Sequence, residues 1–159
     1  MSETDGVWQH CANSAIRRAA RQLGQLYDDV IAPSGLKGTQ FSLLSQIAFY
    51  GTNGTPLKPL AEALVMDLSA LGHTLKPLTR DGLVELIPDD TDRRVRRARL
   101  TALGVRKQEE ALALWREAQG RFDTVFGAER SAEMRSLLGF ISSPDFAKAF
   151  RATKPKPGA

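Results

Sequence analysis

The sequence predicts a mainly α-helical fold that carries one small β-hairpin. Three observations support this prediction. Apolar residues recur at spacings of three and four near both ends of the chain, a tight corner at Met66-Asp67 joins two helical segments, and a basic hairpin sequence follows them. The corner is too short for anything except a turn between two helices, so these segments predict a helix-turn-helix. The hairpin directly after it predicts the winged form.

The first half of the chain predicts three helices. A long amphipathic helix runs from Trp8 to Ile31, where Pro33-Ser34-Gly35 ends it. A second, mostly apolar helix runs from Thr39 to Tyr50. Thr55 as N-cap and Pro56 at the first helical position predict the start of a third helix.

The hairpin follows a fourth helix. Asp67 is suited to cap that helix, which reaches about Thr79 before Asp81-Gly82 ends it. Two segments rich in β-branched and apolar residues, joined by a polar turn, then predict a pair of strands. The predicted strands and turn are Val84 to Pro88, Asp89 to Arg94 and Val95 to Leu100.

The rest of the chain is predicted to be helical. Thr101 is suited to cap a fifth helix that extends to about Phe126. A sixth helix is predicted from Ser131 to Ile141, and a short helical segment from Ser143 through Phe150.

The composition is that of a globular protein. The 159 residues are enough for one domain with a core, and 42% are hydrophobic and 25% charged. No apolar run approaches the roughly 20 residues that span a bilayer, and no signal peptide is apparent. Cys11 is the only cysteine, so an internal disulfide is excluded. We therefore expect a cytoplasmic protein without a membrane partner.

The basic hairpin points to a polyanionic partner. Residues 89–101 read DDTDRRVRRARLT, with five arginines within seven residues. The net charge of +4 is modest, but a local patch decides anion binding more than the total does. A hairpin of this kind commonly lies along or in a nucleic-acid groove, which predicts a nucleic acid as the partner.

Several pieces of the sequence together resemble the MarR family of bacterial transcription regulators. The wing of that family carries an Asp-x-Arg motif followed by Leu-Thr, which here is Asp92, Arg94 and Leu100-Thr101, preceded by Asp81-Gly82-Leu83-Val84. The stretch RRAARQLGQLYDDVIAPSGLKGTQFSLL resembles the first two helices of the family. The resemblance covers roughly residues 8 to 150.

This resemblance implies an architecture and a function. It implies one domain over 1–159, with a DNA-binding part at 36–101 and a helical dimerisation part at 7–32 and 102–151. The basic, proline-rich residues 152–159 are expected to form a mobile tail. The family implies a bacterial, nucleoid-associated homodimer that binds a pseudo-palindromic operator in double-stranded DNA. Most members are repressors that release DNA on binding a small, often aromatic or phenolic, effector.

The resemblance also suggests which residues face DNA. In the wing, Arg94 matches the position that enters the minor groove, Arg93 and Arg96 flank it, and Asp92 is expected to pair with an arginine and hold the turn. A helix in the major groove presents its N-terminal and central side chains to base edges, and the candidates are Ser69, Ala70, His73, Thr74 and Lys76. Thr39 and Gln40, at the start of a helix, are candidates for phosphate contact.

The recognition helix departs from the family pattern. Members often have arginine near positions 68 and 73 and threonine at 72, whereas this chain has Leu68, Gly72 and His73. A second hypothesis is therefore a dimeric ligand-binding or interaction module with weakened DNA recognition. The intact wing argues against that alternative.

Two kinds of sensing site are compatible with the sequence. The candidate ligand pocket would use the aromatic and apolar residues Tyr27, Phe41, Leu44 and Trp115. Alternatively, Cys11 would be oxidised, as in a peroxide-sensing branch of the family, although it lies about two residues from the expected place. A small buried thiol at the dimer interface is the third interpretation of Cys11.

The sequence predicts neither an enzyme nor a cofactor or metal site. It contains no Gly-rich phosphate loop, no G-x-S-x-G motif and no paired catalytic carboxylates. No cluster of Cys, His and Asp has the spacing of metal ligands.

Overall fold

A computed structural model describes residues 10–153 and is mainly helical, with one small sheet. The elements are α1 (Ala12–Ile31), a 3₁₀ turn (Ala32–Ser34), α2 (Gly38–Phe49), β1 (Thr55–Pro56), α3 (Leu57–Ala63), α4 (Leu68–Arg80), β2 (Val84–Pro88), β3 (Arg96–Leu100), α5 (Ala102–Phe126), α6 (Ala128–Ile141) and α7 (Pro144–Ala152). The predicted helical start at Trp8 and most of the predicted mobile tail lie outside the described residues. Within residues 10–153, no helix has the length and apolar character that a bilayer crossing requires.

The sheet has three strands, one more than the sequence predicted. The strands are antiparallel in the order β1-β3-β2, and the hairpin register pairs Val84 with Leu100 and Pro88 with Arg96. The predicted helix start at Thr55-Pro56 is wrong, because Thr55 pairs with Ala98 of β3 and is fully buried. Helix α3 therefore begins at Leu57.

Cap residues fix the limits of several helices. The Asp67 side chain accepts a hydrogen bond from the Ala70 amide at 2.7 Å, as expected of an N-cap. The Thr101 hydroxyl accepts from the Gly104 amide at 3.0 Å at the start of α5. Gly82, with φ +71°, takes the left-handed conformation after α4.

The chain divides into two compact units at Ala118. In the first unit, leucines at a helical spacing bury one face of α4 against α3 and β2. The core members are Ile31, Leu36, Phe41, Leu43, Leu44, Ile47, Leu60, Ala61, Leu71, Leu75, Leu78, Leu83, Val84, Ala98 and Ala111.

The second unit leaves much of its apolar surface exposed. Phe146 lies between the rings of Phe140 and Phe150, with ring centroids 5.4 and 6.2 Å away. Phe140 is 62% exposed and Phe150 73% exposed, and Leu137 is also exposed. Soluble monomers rarely leave so many large apolar side chains in water on one short segment.

Candidate nucleic-acid interface and adjoining cavity

Helix α4 presents a polar face opposite its buried leucines. Ser69, His73 and Lys76 are exposed and follow one another at spacings of four and three, which places them on one side of the helix. Leu68, which is 56% exposed, lies beside Ser69 at the first turn. The exposed face of α4 therefore combines hydroxyl, imidazole and ammonium groups.

Two of the five predicted recognition residues lie away from this face. Ala70 and Thr74 are only partly exposed, because they lie at the boundary between the polar and the buried sides of α4. The Thr74 hydroxyl donates to the Ala70 carbonyl oxygen at 3.0 Å, and Thr74 borders the cavity described below. Both residues are thus less exposed than Ser69, and their contact with DNA remains a prediction.

The corner between α3 and α4 contains a strained residue. Val65 has φ +53°, the left-handed region that a β-branched residue rarely adopts. The Met66 amide donates to the Ala61 carbonyl oxygen at 2.9 Å, which closes the end of α3 immediately before α4. This corner sets the angle between the two helices.

The tip of the wing is organised by Asp92. Its Oδ1 accepts from the Arg94 amide at 3.0 Å, and its carbonyl oxygen accepts from the Val95 amide at 2.9 Å. The Arg94 Nε lies 3.9 Å from Asp92 Oδ1, while the Arg94 side chain is 96% exposed. Arg93 and Arg96 are exposed too and form no ion pair with any residue in the range 10–153.

Asp89 also organises the wing turn, and the sequence interpretation missed it. Its Oδ1 accepts from the Thr91 hydroxyl at 2.6 Å and from the Thr91 and Asp92 amides. Its Oδ2 lies 2.7 Å from Arg97 Nη1. The Thr91 hydroxyl and then the Arg97 guanidinium hold the pKa of Asp89 well below its usual range.

Arg97 connects the wing to the loop between α2 and β1. Its Nε donates to the Asn53 carbonyl oxygen at 2.9 Å and its Nη2 to that of Gly54 at 2.7 Å. Arg99 pairs with Glu85 across the hairpin at 2.9 Å. Arg97 and Arg99 thus stabilise the hairpin itself. The Glu85–Arg99 ion pair could have been predicted from the strand register, which places these two residues opposite each other.

The start of α2 is already occupied by protein groups. Thr39 is exposed, but the Gln40 Oε1 accepts from the Lys37 amide at 2.9 Å. Asp28 of α1 accepts from the Gly38 amide at 2.6 Å. A carboxylate at a helix N-terminus satisfies the donors that a phosphate would use. Phosphate contact by Thr39 or Gln40 remains a prediction.

A cavity of about 870 Å³ adjoins α4. Tyr27, Phe41 and Trp115 line it, and the Phe41 and Trp115 ring centroids are 6.2 Å apart. Leu44 does not line it, because that side chain is fully buried in the core on another side of α2. The polar side chains at its wall, most of which the sequence interpretation missed, are Asp28, Thr39, Ser42, Ser45, Gln46 and Thr74.

Cys11 lies immediately before α1 and is half-buried. The Ser14 hydroxyl, and after it the backbone amides of Ser14 and Asn13, lower the pKa of the Cys11 thiol. His10 beside it is exposed. Across the described residues, no group of three or more His, Cys, Asp or Glu side chains could hold a metal ion.

Solved structures share this fold over nearly the whole chain. The transcriptional regulator MosR of M. tuberculosis, solved in complex with DNA, is 34% identical, with a TM-score of 0.77 over 89% of this chain and 99% of MosR. E. coli MarR, a mutant solved with operator DNA, is 21% identical, with a TM-score of 0.75 over 87% of this chain and 99% of MarR.

CouR of Rhodococcus jostii, bound to p-coumaroyl-CoA, is 23% identical, with a TM-score of 0.73 over 90% of this chain and 97% of CouR. Comparisons with models of protein families and with curated proteins give no match. The identity with MosR over almost all of both chains, together with the shared fold, determines the family. The chain is a DNA-binding transcriptional regulator, not an enzyme, and it belongs to the MarR family.

Proposed function

We propose that this protein is a homodimeric repressor that binds a pseudo-palindromic operator and releases it when a small aromatic ligand enters the cavity. The observation that carries this proposal is that one cavity touches α1, α2 and α4 together. Thr74 lines it from the same helix that exposes Ser69, His73 and Lys76. A ligand there would act directly on the helix that we expect to read the operator.

The cavity has the size and lining of a small-molecule site. Its volume of about 870 Å³ lies within the range of about 300–1,000 Å³ that suits such ligands. The rings of Tyr27, Phe41 and Trp115 offer apolar surface to an aromatic body. A protein of the same fold, CouR, has been crystallised with p-coumaroyl-CoA, which supports an aromatic effector by analogy of fold alone.

The dimer is proposed from the apolar surface of α6 and α7. Phe140, Phe150 and Leu137 are all more than half exposed within the second unit. Burial of such surface stabilises an association by roughly 25 cal/mol per Å² of apolar area removed from water. A two-fold dimer would also match the symmetry of a palindromic operator.

The proposal is tested by gel mobility shift with the DNA upstream of the protein's own gene. We expect the upstream fragment to be bound roughly 10³-fold more tightly than random DNA of equal length, at each of two salt concentrations. A phenolic compound that fills the cavity should then release the fragment. Equal affinity for both fragments would contradict operator recognition and favour the weakened-module alternative.

A second candidate function is redox sensing by Cys11, and the lowered pKa of its thiol favours it. We expect Ser14→Ala to raise that pKa, because the hydroxyl that stabilises the thiolate is lost. The pH profile of alkylation by iodoacetamide, followed by mass spectrometry, should therefore move to higher pH. Ser142→Ala, at the end of α6, is the control and should leave the profile in place.

Redox control itself needs a separate measurement. If Cys11 is the switch, hydrogen peroxide should release the upstream fragment from the natural protein but not from Cys11→Ser. Release that persists in Cys11→Ser would exclude this cysteine as the sensor and leave the cavity as the only switch.

A further inference from the structure

We infer that the cavity selects a cationic aromatic ligand, a lipophilic ammonium compound, over an aromatic carboxylate. This inference rests on the proposed function, in which the cavity is the effector site. It is carried by the charges at the wall: among the described residues Asp28 is the one carboxylic acid there, and no Lys, Arg or His lines the cavity.

A charged ligand group binds in the cavity only if a partner there offsets the cost of its leaving water. A ligand carboxylate would leave water without gaining a cationic partner, and it would lie in the same cavity as Asp28. An ammonium group would gain a charge-assisted hydrogen bond to Asp28 and the hydroxyl acceptors around it. The rings of Tyr27, Phe41 and Trp115 would favour the same sign of charge, because an aromatic face attracts cations.

Asp28 has one oxygen available for such a ligand. Its Oδ1 accepts from the Gly38 amide at 2.6 Å, whereas Oδ2 has no hydrogen-bond partner within residues 10–153. Ser45 is partly occupied, since its Oγ accepts from Gln108 at 3.2 Å, and Thr74 donates to its own helix. Asp28 is thus the strongest acceptor that the wall offers.

The same carboxylate connects the ligand to the DNA-binding part. Asp28 belongs to α1, and its bond to Gly38 fixes the first turn of α2. A Cβ placed on Gly38 would lie only 3.0 Å from Asp28 Oδ1, so the two segments are in close contact. An ammonium group that draws Asp28 into the cavity would weaken this bond and shift the start of α2.

The test uses the full-length protein and three compounds that share one naphthalene body: 2-naphthylmethylamine, 2-naphthalenemethanol and 2-naphthoate. Isothermal titration at neutral pH should give the amine at least about tenfold tighter binding than the carboxylate, with the alcohol between them. Asp28→Asn should lower the affinity for the amine by about tenfold and leave the alcohol within about twofold.

Asp28→Asn is a suitable variant because an amide oxygen can still accept from the Gly38 amide. Asp29→Asn is the matched control: it is the neighbouring, exposed acid on the same helix, does not line the cavity, and should change none of the affinities. If thermal melting shows that Asp28→Asn is unfolded, the ranking of the three compounds on the natural protein decides whether the cavity prefers a cationic ligand.

Preference for 2-naphthoate, or no binding by any of the three compounds at millimolar concentration, would overturn the inference. An equal response of Asp28→Asn and Asp29→Asn would overturn the role of Asp28. Failure of the proposed function has a different signature: the amine would bind with the expected preference but leave the complex with the upstream DNA fragment intact.

Discussion

Replacing Arg94 by alanine is expected to weaken binding to the upstream DNA fragment by at least about tenfold, with the dimer and the fold intact. Arg94 lies at the tip of the hairpin, and its side chain is 96% exposed, so its removal disturbs no packing. A narrow minor groove concentrates negative potential, and an inserted guanidinium gains most from that field. Fluorescence anisotropy with labelled DNA measures the change, and analytical ultracentrifugation checks the dimer.

The matched control for Arg94→Ala is Arg116→Ala. Arg116 is an exposed arginine on α5. It lies about 21 Å along the helix from Ala102, the first helical residue after the wing. Both variants lose one positive charge, so a general electrostatic effect would weaken DNA binding in both. If Arg94→Ala bound the fragment as tightly as Arg116→Ala and the natural protein, the assignment of the wing tip to the groove would be wrong.

Replacing Gly104 by alanine is expected to lower the free energy of unfolding by about 3 kcal/mol or more. Gly104 lies in the first turn of α5, and a Cβ there would lie 1.9 Å from the Leu83 carbonyl oxygen. That oxygen also accepts from the Thr101 amide at 3.1 Å, so the obstacle is backbone that is fixed by the hairpin root. Equilibrium unfolding in urea measures the loss.

Gly72→Ala is the control for Gly104→Ala. Gly72 lies inside α4, and a Cβ added there would meet open space, with no neighbouring atom within 4 Å. Alanine has the higher helix propensity, and we expect a gain of about 1 kcal/mol in the free energy of unfolding. A Gly104→Ala variant as stable as the natural protein would show that α5 can shift away from Leu83.

Local chemistry explains what the sequence predicted correctly. The strand Val84–Pro88, the Asp67 cap of α4 and the Thr101 cap of α5 were predicted with the bounds or contacts that the structure has. Each depends on residues within a few positions of one another, so a pattern in the sequence is sufficient to identify it.

Contacts between distant segments explain what the sequence predicted wrongly. Thr55 has the side chain of a good N-cap, but pairing with Ala98, more than forty positions away, makes it a strand residue. Leu44 was expected at the pocket because α2 is apolar on several sides, and periodicity does not say which side faces the core and which faces the cavity. The Asp89–Arg97 ion pair was missed because the hairpin turn brings these two side chains together, and the sequence pattern does not show that contact.

The internal pairing of Arg97 and Arg99 limits how strongly ionic strength should control DNA binding. An arginine that is already neutralised by Asp89 or Glu85 displaces few condensed cations from the duplex, so Arg93, Arg94 and Arg96 carry this effect in each wing. For each wing, three phosphate contacts would contribute a fall in affinity of roughly 40-fold between 50 and 200 mM salt, whereas five would contribute roughly 500-fold. The wing is therefore less sensitive to the counterion atmosphere than its five arginines suggest.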